Sequence, residues 1–263
     1  MADSSLSRRA FTAAIGIPLL LALAYAGGWP WLAAVALLQG LATAEARRMG
    51  AHLGWELPAL PDYILAVFFQ LAVYFCGLPG YAGAVLVALA VRVGVFLLAY
   101  PRYPLVSVAV GWLIGTYLGL FSFLVMIERS LGCSFLWSLL FITWANDTGA
   151  YLVGRKYGRH RLAPVLSPGK SWEGTISGWM AAVAAGLILA QWFSGPAVEW
   201  AAFAWVLAVA GQIGDLWESA LKRQAGMKDA GALLPGHGGV LDRFDSLMFA
   251  APVAFFLVPA LGL

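Results

Sequence analysis

Four acids near the C-terminal end of the chain are spaced for joint action. Asp215 and Glu218, with Lys222, stand at i, i+3 and i+7, which on a helix places all three on one face. Asp242 and Asp245 repeat the i, i+3 spacing at the start of the last apolar stretch. A carboxylate near hydrocarbon costs about 2.5–3.5 kcal/mol at a helix centre, so an acid kept there serves a partner or a function. Two such helix ends facing each other would make an oxygen-rich site for a hard cation, with Mg²⁺ the best match. The same residues also suit a closed set of Asp–Lys and Asp–Arg pairs, and spacing alone does not choose between the two.

Two further segments carry polar chemistry. Between the acid pairs lies Pro235-Gly236-His237-Gly238-Gly239. Its glycines permit close backbone approach to a ligand, and N–H groups ahead of a helix can cradle phosphate. It is equally an interhelical turn, with His237 either a general base or a structural hydrogen-bonding group. Upstream, Ser167-Pro168-Gly169-Lys170-Ser171-Trp172-Glu173-Gly174 offers hydroxyl, backbone and ammonium donors suited to polyphosphate, or a capping segment for the next helix. Asn146-Asp147 closes a crossing and suits a base, ribose or metal, or simply ends a helix. Arg155, Lys156, Arg159 and Arg161 suit anionic headgroups, nucleotide phosphate or topology alone.

The elements that position these residues follow from composition. Of 263 residues, 62% are hydrophobic and 11% charged, with a mean hydropathy of +0.82; globular averages are about 45–50% and 25%. Disorder is excluded, and so is a water-soluble globule. The chain reads as an all-α polytopic integral membrane protein, since Ala, Leu and Gly dominate without the dyad alternation of barrel strands. Nine stretches approach the roughly 20 apolar residues of a crossing: Phe11–Ala26, Trp31–Thr43, Tyr63–Gly77, Tyr81–Tyr100, Leu105–Met126, Leu131–Ala145, Gly174–Phe193, Val198–Trp217 and Ser246–Leu263. With a cytoplasmic N-terminus, fourteen of the sixteen Lys and Arg fall on the cytoplasmic side. Arg129 lies outside, and Arg92 lies within a span, where it snorkels or pairs with another helix. The C-terminus then lies on the outer side. Ser7-Arg8-Arg9-Ala10-Phe11 also looks like a twin-arginine export signal, but another crossing follows at once. Residues 1–130 carry crossings without readable chemistry. Residues 131–263 form the candidate catalytic region, with cytoplasmic loops 147–173 and 218–245. Cys76 and Cys133 are too few for a disulfide framework, and pairing between them is not legible. The net charge of +3 reflects membrane topology, not nucleic-acid binding.

The signature from Ser219 to Asp245 resembles that of the phosphatidate cytidylyltransferases (CDP-diacylglycerol synthases). It comprises Ser219-Ala220-Leu221-Lys222-Arg223-Gln224-Ala225-Gly226-Met227-Lys228-Asp229, then Leu234-Pro235-Gly236-His237-Gly238-Gly239-Val240-Leu241-Asp242-Arg243-Phe244-Asp245. Gly214–Glu218 and Ser167–Gly174 are similar to that family as well. Gly169, however, stands where many members carry a second lysine. The resemblance implies that CTP and phosphatidic acid give CDP-diacylglycerol and pyrophosphate, with the active site at the cytoplasmic face of a bacterial inner or plasma membrane. It implies one or two divalent cations, Mg²⁺ foremost, with room for a monovalent one, held by Asp215, Asp242, Asp245 and Glu218. Asp215, Asp242, Lys222, Lys228 and Arg243 would carry the catalysis. Asn146, Asp147, Ser167, Lys170, Ser171, Glu173, Ser219, Arg223, Asp229, His237, Gly238 and Gly239 would contact substrate. The lipid bilayer is a partner, and a homodimer is compatible with the resemblance.

Three rivals stand beside this reading. One is a CTP-dependent transferase or kinase acting on a prenyl or ether-lipid acceptor. Another is a transporter, which predicts midplane acids and paired broken helices, neither of which the sequence shows. The third is an inactive lipid-binding scaffold, which the intact carboxylate set argues against.

Overall fold

The computed structural model describes residues 2–231 and 238–263, with side chains from residue 14 onward. Among the described residues nine helices run in chain order: α1 (Ala2–Ala26), α2 (Gly28–His52), α3 (Leu60–Leu98), α4 (Leu105–Gly119), α5 (Ser122–Leu131), α6 (Cys133–Tyr157), α7 (Trp172–Trp192), α8 (Ala197–Gln224) and α9 (Leu241–Leu261). Two short strands, β1 (Arg161–Ala163) and β2 (Ser167–Ser171), pair antiparallel between α6 and α7.

The protein is an all-α membrane fold. Among the described residues five helical stretches are long and apolar enough to cross a bilayer: Leu60–Leu98, Leu105–Leu131, Trp172–Trp192, Ala197–Gln224 and Leu241–Leu261. Large apolar side chains stand on their outer surfaces, among them Leu86, Met180 and Trp192, as a lipid-facing surface requires and a watery one does not.

The chain divides into two compact units. The first comprises Met1–Cys133 and Leu221–Phe244, the second Ser134–Ala220 and Asp245–Leu263. In the first unit, α3 would be about 58 Å long if straight, nearly twice the hydrocarbon thickness. It is broken at Gly77, whose φ of 58° and ψ of −138° are open to glycine and little else. Pro79 follows. The two legs fold together, since Leu65 and Phe69 from the first pack with Ala84 and Ala88 from the second. The expected crossings Tyr63–Gly77 and Tyr81–Tyr100 are these two legs.

Asp62, at the start of α3, pairs with Arg92 on the second leg at 2.9 Å and with Arg47 of α2. Both guanidinium groups also lie over the Trp55 ring, 5.1 and 5.9 Å from its centroid. Of the two expectations for Arg92, pairing is therefore the one observed. Cys76 and Cys133 are free thiols.

Several boundaries differ from the sequence reading. The crossing expected to stop at Ala145 continues as α6 to Tyr157. Asn146 and Asp147 consequently lie inside a helix and do not close one. The helix continues because α7 packs closely along it: a Cβ at Gly178 would come within 2.8 Å of the Asn146 carbonyl oxygen, a clearance only glycine provides. The expected loop 147–173 is thus helix as far as residue 157, then the β-hairpin. Similarly, α8 runs to Gln224 and α9 begins at Leu241, so residues 218–224 and 241–245 of the expected loop 218–245 are helical.

Candidate active site

In the second unit, α8 and α9 approach backbone to backbone. A Cβ at Gly214 would lie 2.5 Å from the carbonyl oxygen of Asp245. This contact sets Asp215 and Glu218, on the next turn of α8, beside Asp245. The charges of Asp215, Glu218 and Asp147 all bear on the Asp245 carboxylate. Glu218 is fully buried and Asp245 nearly so. One Asp245 oxygen accepts the Ser246 N–H at 2.6 Å. Lys170, from β2, pairs with Asp215, and Ser219 donates to the same carboxylate at 3.4 Å. Asn146, buried on α6, donates to Asp147 at 3.1 Å. Thus Asn146, Asp147, Lys170, Asp215, Glu218, Ser219 and Asp245 come together, drawn from α6, β2, α8 and α9.

Burying the like charges of Glu218 and Asp245 side by side is costly unless a cation neutralises them. The donor set is all oxygen, the chemistry a hard divalent cation takes. Among the described residues no three His, Cys, Asp or Glu side chains already surround one point. Oxygen donors of this kind suit a hard divalent cation, but the described side chains form no group placed to hold one.

The first unit holds the rest of the signature. Lys222 donates to Asp242 Oδ1 at 2.7 Å, and both side chains are about nine-tenths buried. Asp242 Oδ2 accepts the N–H groups of Gly239 at 2.8 Å and Ala230 at 3.0 Å. Asp242 therefore ties Ala230 to Gly239, just ahead of α9. Gly238 has a left-handed φ of 84°, and a Cβ there would press to 2.9 Å on the same carboxylate oxygen. Arg223 is exposed and donates to the Met227 carbonyl at 3.1 Å. Lys228, Asp229 and Arg243 are exposed. His237 lies outside the described residues.

The remaining expected site residues make local contacts. Ser171 caps α7, its hydroxyl accepting the Gly174 N–H at 3.2 Å. Glu173 accepts the backbone N–H groups of Arg159 and His160 at 3.1 and 3.2 Å, and His160 Nδ1–H at 2.6 Å. It thereby ties the hairpin to the head of α7. Ser167 opens β2 opposite Ala163.

One acid in this region escaped the sequence reading. Glu45 of α2 is fully buried, and its carboxylate accepts the N–H groups of Val240 and Leu241 at 3.0 and 2.9 Å. The available signal was its presence in an apolar helix, where a lone carboxylate is costly.

The match to known proteins is extensive. A model of the cytidylyltransferase family matches residues 7–261. The chain is 40% identical over 145 residues to the phosphatidate cytidylyltransferase of Staphylococcus saprophyticus, covering 54% of this chain and 55% of that protein. It is 42% identical over 132 residues to the proteins of that name in Staphylococcus epidermidis and Staphylococcus aureus, covering 49% of this chain and 51% of each. The matched region thus spans about half the length of these curated relatives. Because the family model extends from the first helix to the last, through both the Lys170 hairpin and the Lys222–Asp245 signature, the chain belongs to the cytidylyltransferase family.

Proposed function

We propose that the protein transfers the cytidylyl group of CTP to phosphatidic acid, giving CDP-diacylglycerol and pyrophosphate. The family match over residues 7–261 carries this reading, and the relatives' name supplies the substrate class. In the reaction a phosphate oxygen of the lipid attacks the α-phosphorus of CTP. The bond between the α-phosphorus and its bridging oxygen breaks, and pyrophosphate leaves. A phosphate monoester has a second pKa near 6 and is largely ionised at neutral pH, so the lipid needs little help from a general base. The larger task is holding two polyanions together.

Asp215, Glu218 and Asp245 would hold a divalent cation; Asp242, expected as a fourth ligand, is engaged by Lys222 within the first unit. When bound, the cation would neutralise phosphate charge and stabilise the leaving pyrophosphate. Lys170, now resting on Asp215, would turn to a phosphate. Lys222, Arg223, Lys228 and Arg243 supply further cationic donors. Asn146, Ser167, Ser219, Asp229 and the Gly238–Gly239 backbone are the remaining candidate contacts.

The proposed topology has nine crossings, a cytoplasmic N-terminus, an outer C-terminus and the site facing the cytoplasm of a bacterial inner membrane. The fold of α3 at Gly77 supports counting it twice, and the bias of Lys and Arg to one side supports the orientation.

The test is purified protein in detergent with CTP, Mg²⁺ and phosphatidic acid, following pyrophosphate release as each component is omitted. Release is expected only with all three present. Release that persists without phosphatidic acid, or that a prenyl phosphate supports better, would overturn the acceptor assignment.

A further inference from the structure

Glu45 does from a distant helix what a capping residue does locally. Its two oxygens accept the N–H groups of Val240 and Leu241, the residue before α9 and the first residue in it. N–H groups at a helix start lack intrahelical acceptors, and the positive end of the helix favours a carboxylate. The approach is close on two sides: a Cβ at Gly231 or Gly239 would lie 2.5 Å from a Glu45 oxygen. Beside it, Asp242 accepts the N–H groups of Ala230 and Gly239 and receives Lys222. The two acids therefore grip the same short segment, Asp242 at residues 230 and 239 and Glu45 at 240 and 241.

We infer that Glu45 is a positioning residue for the cytidylyl transfer: it fixes the start of α9 and, through it, Asp242 and Lys222. The catalytic half of this inference rests on the proposed function; the hold on α9 does not. Loss of the carboxylate leaves two buried N–H groups without acceptors and frees the start of α9 to shift. A displacement of about 1 Å at a reacting site can lower turnover about a hundredfold.

The test uses the full chain purified in detergent, with two variants. Glu45→Gln keeps the side-chain shape but replaces one acceptor with a donor. Gly231→Ala leaves Glu45 intact and pushes its carboxylate aside. Both are compared with wild type by melting temperature, by hydrogen exchange of a peptide spanning 238–242, and by kcat and KM for CTP and phosphatidic acid. Both are expected to stay folded and to exchange faster in that peptide. Their kcat should fall at least tenfold, with each KM within threefold of wild type. Unchanged exchange overturns the inference, as does kcat within twofold of wild type. A loss of activity that merely tracks loss of folded protein, with kcat per folded molecule unchanged, also overturns it. If Glu45→Gln does not accumulate, Gly231→Ala decides alone. A wild-type protein with no cytidylyl transfer would sink the proposed function, while the exchange measurement would still decide whether Glu45 holds α9.

Discussion

Asp215 and Glu218 are three residues apart on α8, so one helical turn turns both toward Asp245, and Lys170 reaches the first of them. That face was legible from i, i+3 spacing, because helical periodicity is local. Glu45 was not legible as a site residue, because its partners lie 195 and 196 residues away in sequence, and only the fold brings them together. Ser171 and Glu173 were legible as polar residues suited to phosphate or to a cap, and only their hydrogen bonds show that they cap and strap. Removing the charge from Asp215 while keeping its shape, as Asp215→Asn, should lower turnover by about 100-fold, the scale of losing one electrostatic contributor to a transition state. The protein should remain folded and membrane-inserted. Steady-state pyrophosphate release, with a melting curve alongside, checks both statements. Asp62 tests structure instead of chemistry. Asp62→Ala strands Arg92 inside the first unit, and breaking a buried pair in this way costs about 3–5 kcal/mol. A marked fall in melting temperature in detergent is the expected outcome.

The helices themselves were mostly legible, since long apolar runs have few alternatives in a membrane. Their ends were less so. Asn146 and Asp147 resemble a stop when polarity is the only guide, but α6 passes through them because α7 packs against it there. The hairpin of β1 and β2 lies within the expected cytoplasmic loop 147–173; Ser167-Pro168-Gly169 has poor strand propensity, and backbone pairing and the Glu173 strap hold it. Two predictions belong at this scale. Gly77→Ala places a side chain at φ 58°, ψ −138° and should destabilise the α3 bend by about 1–3 kcal/mol, read as a lower melting temperature. Ser171→Ala removes the α7 cap and should cost about 1 kcal/mol, with faster hydrogen exchange confined to the first turn of α7.

At the scale of the whole molecule, the bias of basic residues predicts which side each segment faces. In a variant lacking Cys76 and Cys133, a cysteine at position 129 should react with a membrane-impermeant maleimide from outside intact cells. One at position 156 should react only after the cells are opened; the reverse pattern would invert the proposed orientation. The acids, the basic residues and the family match all bear on one proposed reaction, transfer of the cytidylyl group of CTP, with its α-phosphorus, to a lipid phosphate. CTP labelled separately at its α- and γ-phosphorus, incubated with the purified protein, Mg²⁺ and phosphatidic acid, tests that transfer most directly. The α-label should appear in the extracted lipid and the γ-label in pyrophosphate. A γ-label in the lipid would mark a kinase, and no label in the lipid from either CTP would mean that the protein performs no such transfer.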